Sequence, residues 1–144
     1  DWLILRPSGI FGPSAGNRFG NSFLNVIASQ AIKNKEISIL GGDQLIDTLY
    51  LLDLINIILQ VCSCEWQSRQ IFNVAGKIVT VEEIVQSLVN TIRSIGFKVL
   101  VNKKGFNGKP AVLADTNKLK KSFPNWDTTP ISCSTHALVS AYFS

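Results

Sequence analysis

The sequence predicts an α/β fold in which strands and helices alternate along one chain. Three observations carry that expectation. Short apolar runs are closed by Gly, Pro or Asp; between them apolar residues recur at helical spacing; and 46% hydrophobic content in 144 residues suffices for one buried core.

The elements follow in order. Residues 2–5 (Trp-Leu-Ile-Leu) form an apolar run stopped by Arg6-Pro7 and a Gly/Pro/Ser loop reaching Gly20, the pattern of a fully buried parallel strand that needs neighbours on both sides. Phe23, Leu24, Ile27, Ala28, Ala31 and Ile32 then repeat on one helical face, with Asn21 placed as the N-cap. Residues 36–40 alternate like a strand, Gly41-Gly42-Asp43 is turn chemistry, and residues 46–51 return to extended character. Asp53 is expected to cap a strongly apolar, largely buried helix running to about Cys64. Residues 70–74 give a further strand ended by Ala75-Gly76. Thr80 and Glu83 have the spacing of a capping box, in which each side chain satisfies the other's backbone donor. The helix they open carries Val81, Ile84, Val85, Leu88, Val89, Ile92 and Ile95 on one face and stops at Gly96. A last strand is expected over 97–101, then a polar loop over 102–110 with Lys103, Lys104 and Lys109, and short helices from Thr116 and Ser132.

Composition narrows the function. Lys and Arg exceed Asp and Glu by 14 to 10, a net +4 that suits an anionic ligand but is too weak for a nucleic-acid footprint. Cys62, Cys64 and Cys133 are an odd set without paired spacing, which argues against a disulfide framework or a zinc site and for a reducing, cytoplasmic setting. Cys62 and Cys64 are expected to pack as small apolar residues. The apolar stretch 49–64 is broken by Asp53, Asn56 and Gln60, so no membrane span is expected. The chain holds no Met and opens directly on strand-like residues, so it is expected to be cut from a longer protein.

Four blocks carry a family resemblance. They are residues 5–13 (LRPSGIFGP); residues 37–53, with Asp47, Tyr50 and Asp53; residues 71–76 with the helix opening at Thr80; and residues 108–126, a basic loop, an Asp, a Lys-bearing helix and a Trp. In this order they resemble the second half of the NAD-dependent epimerase/dehydratase family, within the extended short-chain dehydrogenases. The resemblance implies an α/β (α+β) substrate-binding portion of a Rossmann-type enzyme, with one orphan strand of the parallel sheet at the N-terminus. Residues 1–20 would be that strand and the loop near nicotinamide and sugar; residues 21–144 would be the substrate-binding subdomain.

The same resemblance implies the ligands. The parent enzyme would use NAD or NADP to oxidise a sugar carbon and return hydride after epimerisation, dehydration or reduction, acting on a UDP-, dTDP- or GDP-linked sugar. Asn21 would face the phosphates, although a plain N-cap explains it equally; Ser38 and Leu40 would meet the base through strand-edge backbone, and Gln44 follows them in the same substrate-binding block. Lys109 lies near a phosphate-contacting cation, with a solvated loop lysine as the plainer reading. Pro7, Ser8 and Gly9 would lie beside the cofactor. Ile46 departs from the family, which has an Arg there that reaches the pyrophosphate as a fork-shaped donor.

Catalytic and cofactor motifs are missing. No Gly-x-x-Gly-x-x-Gly turn occurs, and neither Tyr50 nor Tyr142 has a Lys four residues on, so no catalytic residue and no bound cofactor are expected in this chain. Asp47 and Asp53 are assigned loop and cap hydrogen bonding, and His136 a structural place. No metal site and no nucleic-acid partner are expected, while a homodimer is open. Two alternatives stay open as well: a non-catalytic binding module of the same fold, and a reductase of the same superfamily acting on a small carbonyl compound.

Overall fold

A computed structural model describes residues 1–14, 20–66, 68–105 and 111–143. Eight strands and five helices are seen among them. Strand β1 (Leu3–Pro7) pairs in parallel with β6 (Gln70–Val74), Leu3 opposite Gln70 and Pro7 opposite Val74. The two-residue strands β2 (Ile10–Phe11) and β5 (Leu49–Tyr50) also pair in parallel. β3 (Glu36–Leu40) pairs in parallel with β8 (Leu100–Lys104), and β4 (Leu45–Ile46) antiparallel with β7 (Val79–Thr80). The mixed α/β class is as expected, and β4 and β5 fall at the extended stretch expected over 46–51; the short strands β2 and β7 carry too little periodicity to be read in advance.

Two apolar clusters organise the fold. In the first, α1 (Phe23–Asn34), α3 (Val81–Ser94) and α5 (Ile131–Phe143) pack with β3 around Leu24, Ile37, Ile84, Leu88, Ile92 and Leu138. In the second, α2 (Leu51–Ser63) and α4 (Asn117–Ser122) pack with β1 and β6 around Ile57, Phe72, Leu119, Phe123 and Trp126. The clusters interleave along the chain, so that α2, β6 and α4 join β1 in one core.

The helix starts show local chemistry at work. Thr80 caps α3: its hydroxyl accepts from the Glu83 amide at 3.1 Å, while the Glu83 carboxylate accepts from the Thr80 amide at 2.7 Å, the expected reciprocal box. α3 ends at Ser94, and Gly96 follows at φ +92, in the left-handed region that glycine tolerates. α1 is capped by Ser22, whose hydroxyl accepts from the Asn25 amide, and not by Asn21. Ser22 wins because the helix begins one residue later than its periodicity suggested. α2 begins at Leu51 with Tyr50 as N-cap, so Asp53 lies inside the first turn instead of capping it.

Four further expectations are corrected. β1 was expected to be an orphan, fully buried strand; it has a partner in β6, and Ile4 on its uncovered face is 43% exposed. Leu3 and Leu5 reach the second cluster on the covered face, and no described strand pairs with the other edge of β1. Helix α2 was expected to be largely buried, yet only Asp53 and Ile57 are; Leu52, Ile55, Ile58 and Leu59 face outward, because the two-stranded sheet covers one side of the helix alone. Cys62 and Cys64, at the end of α2, are exposed thiols and not core residues. The last strand runs over Leu100–Lys104 instead of 97–101, which brings Lys103 and Lys104 into the sheet. The register favours this later start, since it gives all five residues of β3 a partner.

Gly76 marks the tightest approach. A Cβ there would lie 1.9 Å from the Thr48 carbonyl oxygen, so the β6–β7 connection and the start of β5 meet only because this residue has no side chain. Gly76→Ala is expected to lower stability by about 2–3 kcal/mol, against about 1 kcal/mol for Thr80→Ala, read as shifts of the urea midpoint. The Thr80 hydrogen bonds hold the Glu83 carboxyl below its usual 4.5. A depressed carboxyl stabilises above its unfolded value and loses that contribution as pH falls through the folded one. The stability difference between the native chain and Glu83→Gln should therefore be full above about pH 4.5 and shrink in more acidic urea titrations.

Candidate functional site

Two hollows hold most of the residues singled out in the sequence. The first, about 410 Å³, lies against the edge of β3 and is lined by Ser38, Leu40 and Gln44 together with Phe23, Ile46 and Val81. The second, about 460 Å³, lies where β1 ends, at Pro7, Ser8 and Gly9, and is walled by Asp47, Asn73 and residues 112–115.

The edge of β3 owes its character to the ladder. Leu100 donates to the Lys35 carbonyl at 3.0 Å and Gly41 to the Lys104 carbonyl at 2.7 Å, so alternate residues from 35 to 41 turn their backbone toward β8. Ser38 and Leu40 therefore turn theirs the other way, where no described strand pairs. Their side chains are exposed while Ile37 and Ile39 are buried, the alternation of a half-covered strand. The free amide and carbonyl of Ser38 offer an adjacent donor and acceptor to a flat ligand. Leu40 keeps a free amide, but its carbonyl accepts from Gln44 Nε2 at 2.8 Å.

Gln44 is placed beside the hollow, yet its amide is engaged in its own turn, since its Oε1 also accepts from the Gly42 amide at 2.7 Å. The turn in turn seats helix α3: the Val81 amide donates to the Gln44 carbonyl and the Glu82 amide to the Gly42 carbonyl, each at 2.9 Å. Lys103 on β8 pairs with Glu82.

In the second hollow the loop is held by its neighbours. The Ser8 hydroxyl donates to the Asp47 carbonyl and the Ser8 amide to the Val74 carbonyl, fixing the chain as it leaves β1. A Cβ built on Gly9 would meet nothing within 4 Å, so the hollow opens beside bare backbone. Asp47 Oδ2 accepts from the Ala114 amide at 2.7 Å, and Asn73 Nδ2 donates to the Asp115 carbonyl at 3.2 Å. These two contacts bring the segment before α4 across the mouth of the hollow.

Asn21 lies apart from both, beside a smaller hollow of about 170 Å³ at the start of α1. Next to it Asn25 is buried and bonds both backbone groups of Gly12, accepting from its amide at 3.3 Å and donating to its carbonyl at 2.8 Å. That tie was not read from the sequence, although an Asn among the buried residues of an amphipathic face is a signal for one. Lys109 lies outside the described residues.

Asp53 does the loop bonding expected of it. Its carboxylate accepts from the Thr129 amide at 2.9 Å and hydroxyl at 2.5 Å, while its carbonyl accepts from Trp126 Nε1 at 3.0 Å. Burial, and then the charge of Asp53, pushes the Tyr50 hydroxyl above its ordinary value, so it stays protonated at neutral pH. His136 on α5 is within reach of Ser140 at 3.4 Å and belongs to neither hollow. No group of three or more His, Cys, Asp or Glu suited to a metal occurs among the described residues. Nor is any helix of the described residues long and apolar enough to cross a membrane. Asp47→Ala is expected to release the wall of the second hollow: amide hydrogen exchange at Ala114 should rise about 10- to 100-fold, the weight of one lost bond to a charged acceptor.

Comparisons with known proteins bear on the family and the fold. The model of the NAD dependent epimerase/dehydratase family matches residues 1–75. No curated protein matches the sequence. Among solved structures, RMD from Pseudomonas aeruginosa complexed with NADPH superimposes with a TM-score of 0.75 at 18% identity, covering 97% of this chain and 47% of that one. The UDP-glucuronic acid 4-epimerase of Bacillus cereus, in complex with UDP-glucuronic acid and NAD, gives 0.74 at 21% identity, with 98% and 45% covered. The UDP-N-acetylglucosamine 4-epimerase of Methanobrevibacter ruminantium M1, in complex with UDP-N-acetylmuramic acid, gives 0.75 at 20%, with 99% and 46% covered. The chain thus spans less than half the length of these structures, and at such identities the likeness is one of fold. With the family model matching more than half of its 144 residues, this chain belongs to the NAD dependent epimerase/dehydratase family.

Proposed function

We propose that the chain is the C-terminal, substrate-binding portion of an NAD(P)-dependent nucleotide-sugar epimerase or dehydratase and is inactive by itself. The observation that carries this reading is the open edge of β3, where Ser38 and Leu40 turn unpaired backbone toward a hollow walled by Phe23 and Ile46. A nucleobase fits such a place, because its own ring edge alternates donors and acceptors and its faces are apolar. In this reading Asn21, at the start of α1, lies toward the phosphates, where a helix N-terminus favours anions. Gln44 supports the base site through its turn, and Lys109, outside the described residues, keeps the phosphate role on the resemblance alone.

The second hollow takes the nicotinamide and the sugar. Its position beyond the C-terminal end of a parallel strand is the usual place for ligands in open α/β sheets. Pro7, Ser8 and Gly9 fit a flat ring, since Gly9 leaves open space beside the backbone and Ser8 is anchored from behind. Bound there, NAD or NADP would supply hydride transfer; residues of this chain would position the ring and keep the sugar against it. No Tyr-Lys pair stands in either hollow among the described residues, which supports inactivity of the chain alone. The packing supports a division other than the expected one at residue 20: β1, α2, β6 and α4 share one core and would complete a dinucleotide-binding lobe, while α1, β3, α3, β8 and α5 would form the substrate unit. The three cysteines are free thiols, which supports a reducing, cytoplasmic setting. The uncovered side chains of α2 and β1 support a covering lobe of the parent protein or a second copy.

Titration calorimetry at low ionic strength tests the reading. Weak binding of one UDP-, dTDP- or GDP-linked sugar, with no heat from NAD, is the expected result. Firm NAD binding by this chain would overturn it.

A further inference from the structure

We infer that Ile46 is a specificity-determining residue that makes the β3 hollow a site for an uncharged ring, so that a nucleoside binds there about as well as its diphosphate. The inference rests on the nucleobase reading of that hollow and sharpens it. None of the described residues lining the hollow is charged. Ile46 stands between the turn and the strand edge, half-buried, its side chain packed against the first core cluster.

The groups that would hold a diphosphate nearby are already committed. The N-terminus of α3 reaches the hollow through Val81, but the amides of Val81 and Glu82 donate to the carbonyls of Gln44 and Gly42, and that of Glu83 to the Thr80 hydroxyl. That helix end also carries two acids, Glu82 and Glu83, in its first turn, which disfavour a second anion. Lys103 is paired with Glu82. Apolar walls and a free backbone donor and acceptor therefore contribute the affinity, and phosphate charge contributes little. Among the described residues, what remains for the phosphates is the start of α1 near Asn21 and the exposed Lys104 opposite Leu40, and an exposed helix end or a solvated lysine each favours an anion only a few-fold.

The experiment compares uridine, thymidine and guanosine with their 5′-diphosphates, by calorimetry at 20 and 300 mM salt, on the native chain and two variants. For the native chain, the preferred nucleoside and its diphosphate should bind within about fivefold of each other. Ile46→Arg should shift the preference toward the diphosphate over the nucleoside by at least about tenfold at low salt, and the shift should vanish at high salt. Glu82→Gln, at an exposed position that leaves the core intact, should free Lys103 and raise diphosphate affinity severalfold with the same salt dependence. A native preference for the diphosphate above about tenfold overturns the inference while the nucleobase reading stands. Silence with every nucleoside and diphosphate removes the nucleobase reading and the inference together.

Discussion

The parallel pairing of β1 with β6 is the constraint on which the rest of the fold depends. Parallel strands cannot be joined by a tight turn, so the chain must travel from one end of the sheet back to the other before it can pair. Here it uses residues 8–69 for that journey, and α1, β3, β4, β5 and α2 are all built within it. Part of the crossover, α2, returns to cover the sheet. The remainder leaves to form a second core with α3 and α5; one candidate hollow lies on it at the edge of β3, and the other where the excursion starts, between the end of β1 and Asp47. The site is thus a by-product of how far the chain must go to close one strand pair.

Two carboxylates hold the excursion in place. Asp47 and Asp53 flank β5 and the carboxylate of each fixes a distant piece of the C-terminal third, Asp47 through the Ala114 amide and Asp53 through the amide and hydroxyl of Thr129. Bonds to a charged acceptor weigh roughly 1.5–3 kcal/mol each, more than neutral ones, and the Asp53 pair is largely shielded from water. Spaced carboxylates invite an acid–base reading, but each has amide or hydroxyl donors in front of it, and Asp53 is buried besides. Between them, the contact of Gly76 with Thr48 sets how closely β6 and β5 approach. The floor of the second hollow is therefore rigid at Ser8 and Asp47, and its outer wall, residues 112–115, depends on the Asp47 carboxylate and on Asn73.

What the sequence revealed and what it withheld follow from the range of the forces involved. The capping box at Thr80, the amphipathic faces of α1 and α3 and the stop at Gly96 are local chemistry, written within a few residues, and they stand as read. The cap of α1 slipped by one residue from Asn21 to Ser22 because both can accept from the first turn and only packing selects between them. Long-range pairing was less legible. The register of β8 against β3 moved the last strand from 97–101 to Leu100–Lys104, a choice made by a partner some sixty residues away and invisible to periodicity. Of the substrate-site residues, Ser38, Leu40 and Gln44 come together at one hollow, Pro7, Ser8 and Gly9 at another, and Asn21 at neither. That Gln44 spends its amide on its own turn could not be read without the turn's geometry.

The burial of α2 shows where reading by composition reaches its limit. A helix with Leu52, Leu54, Ile55, Ile57, Ile58 and Leu59 looks like a core element from every side, and a core element requires apolar neighbours on every side. The described chain supplies them for Ile57 and, in part, for Leu54 and Val61, through β1, β6 and α4. It leaves Leu59 at 62% exposure and Leu52 at 55%. Full burial of such a side chain is worth about 1.5–3 kcal/mol, so this face forgoes several kcal/mol that a covering surface would recover. The open edge of β1 adjoins the same problem: Trp2 accepts from Arg69 and Ser8 donates to Val74, which turns the even-numbered residues to β6 and leaves the backbone of Leu3 and Leu5 unpaired, with Pro7 lacking a donor at the end. An apolar helix face and an unpaired parallel edge together describe an α/β layer that is incomplete, whereas the α1–α3–α5 cluster closes around its own side chains. The α1–α3–α5 unit is therefore the self-sufficient part of this chain, and the strand pair is the part whose stability depends on what is brought against it.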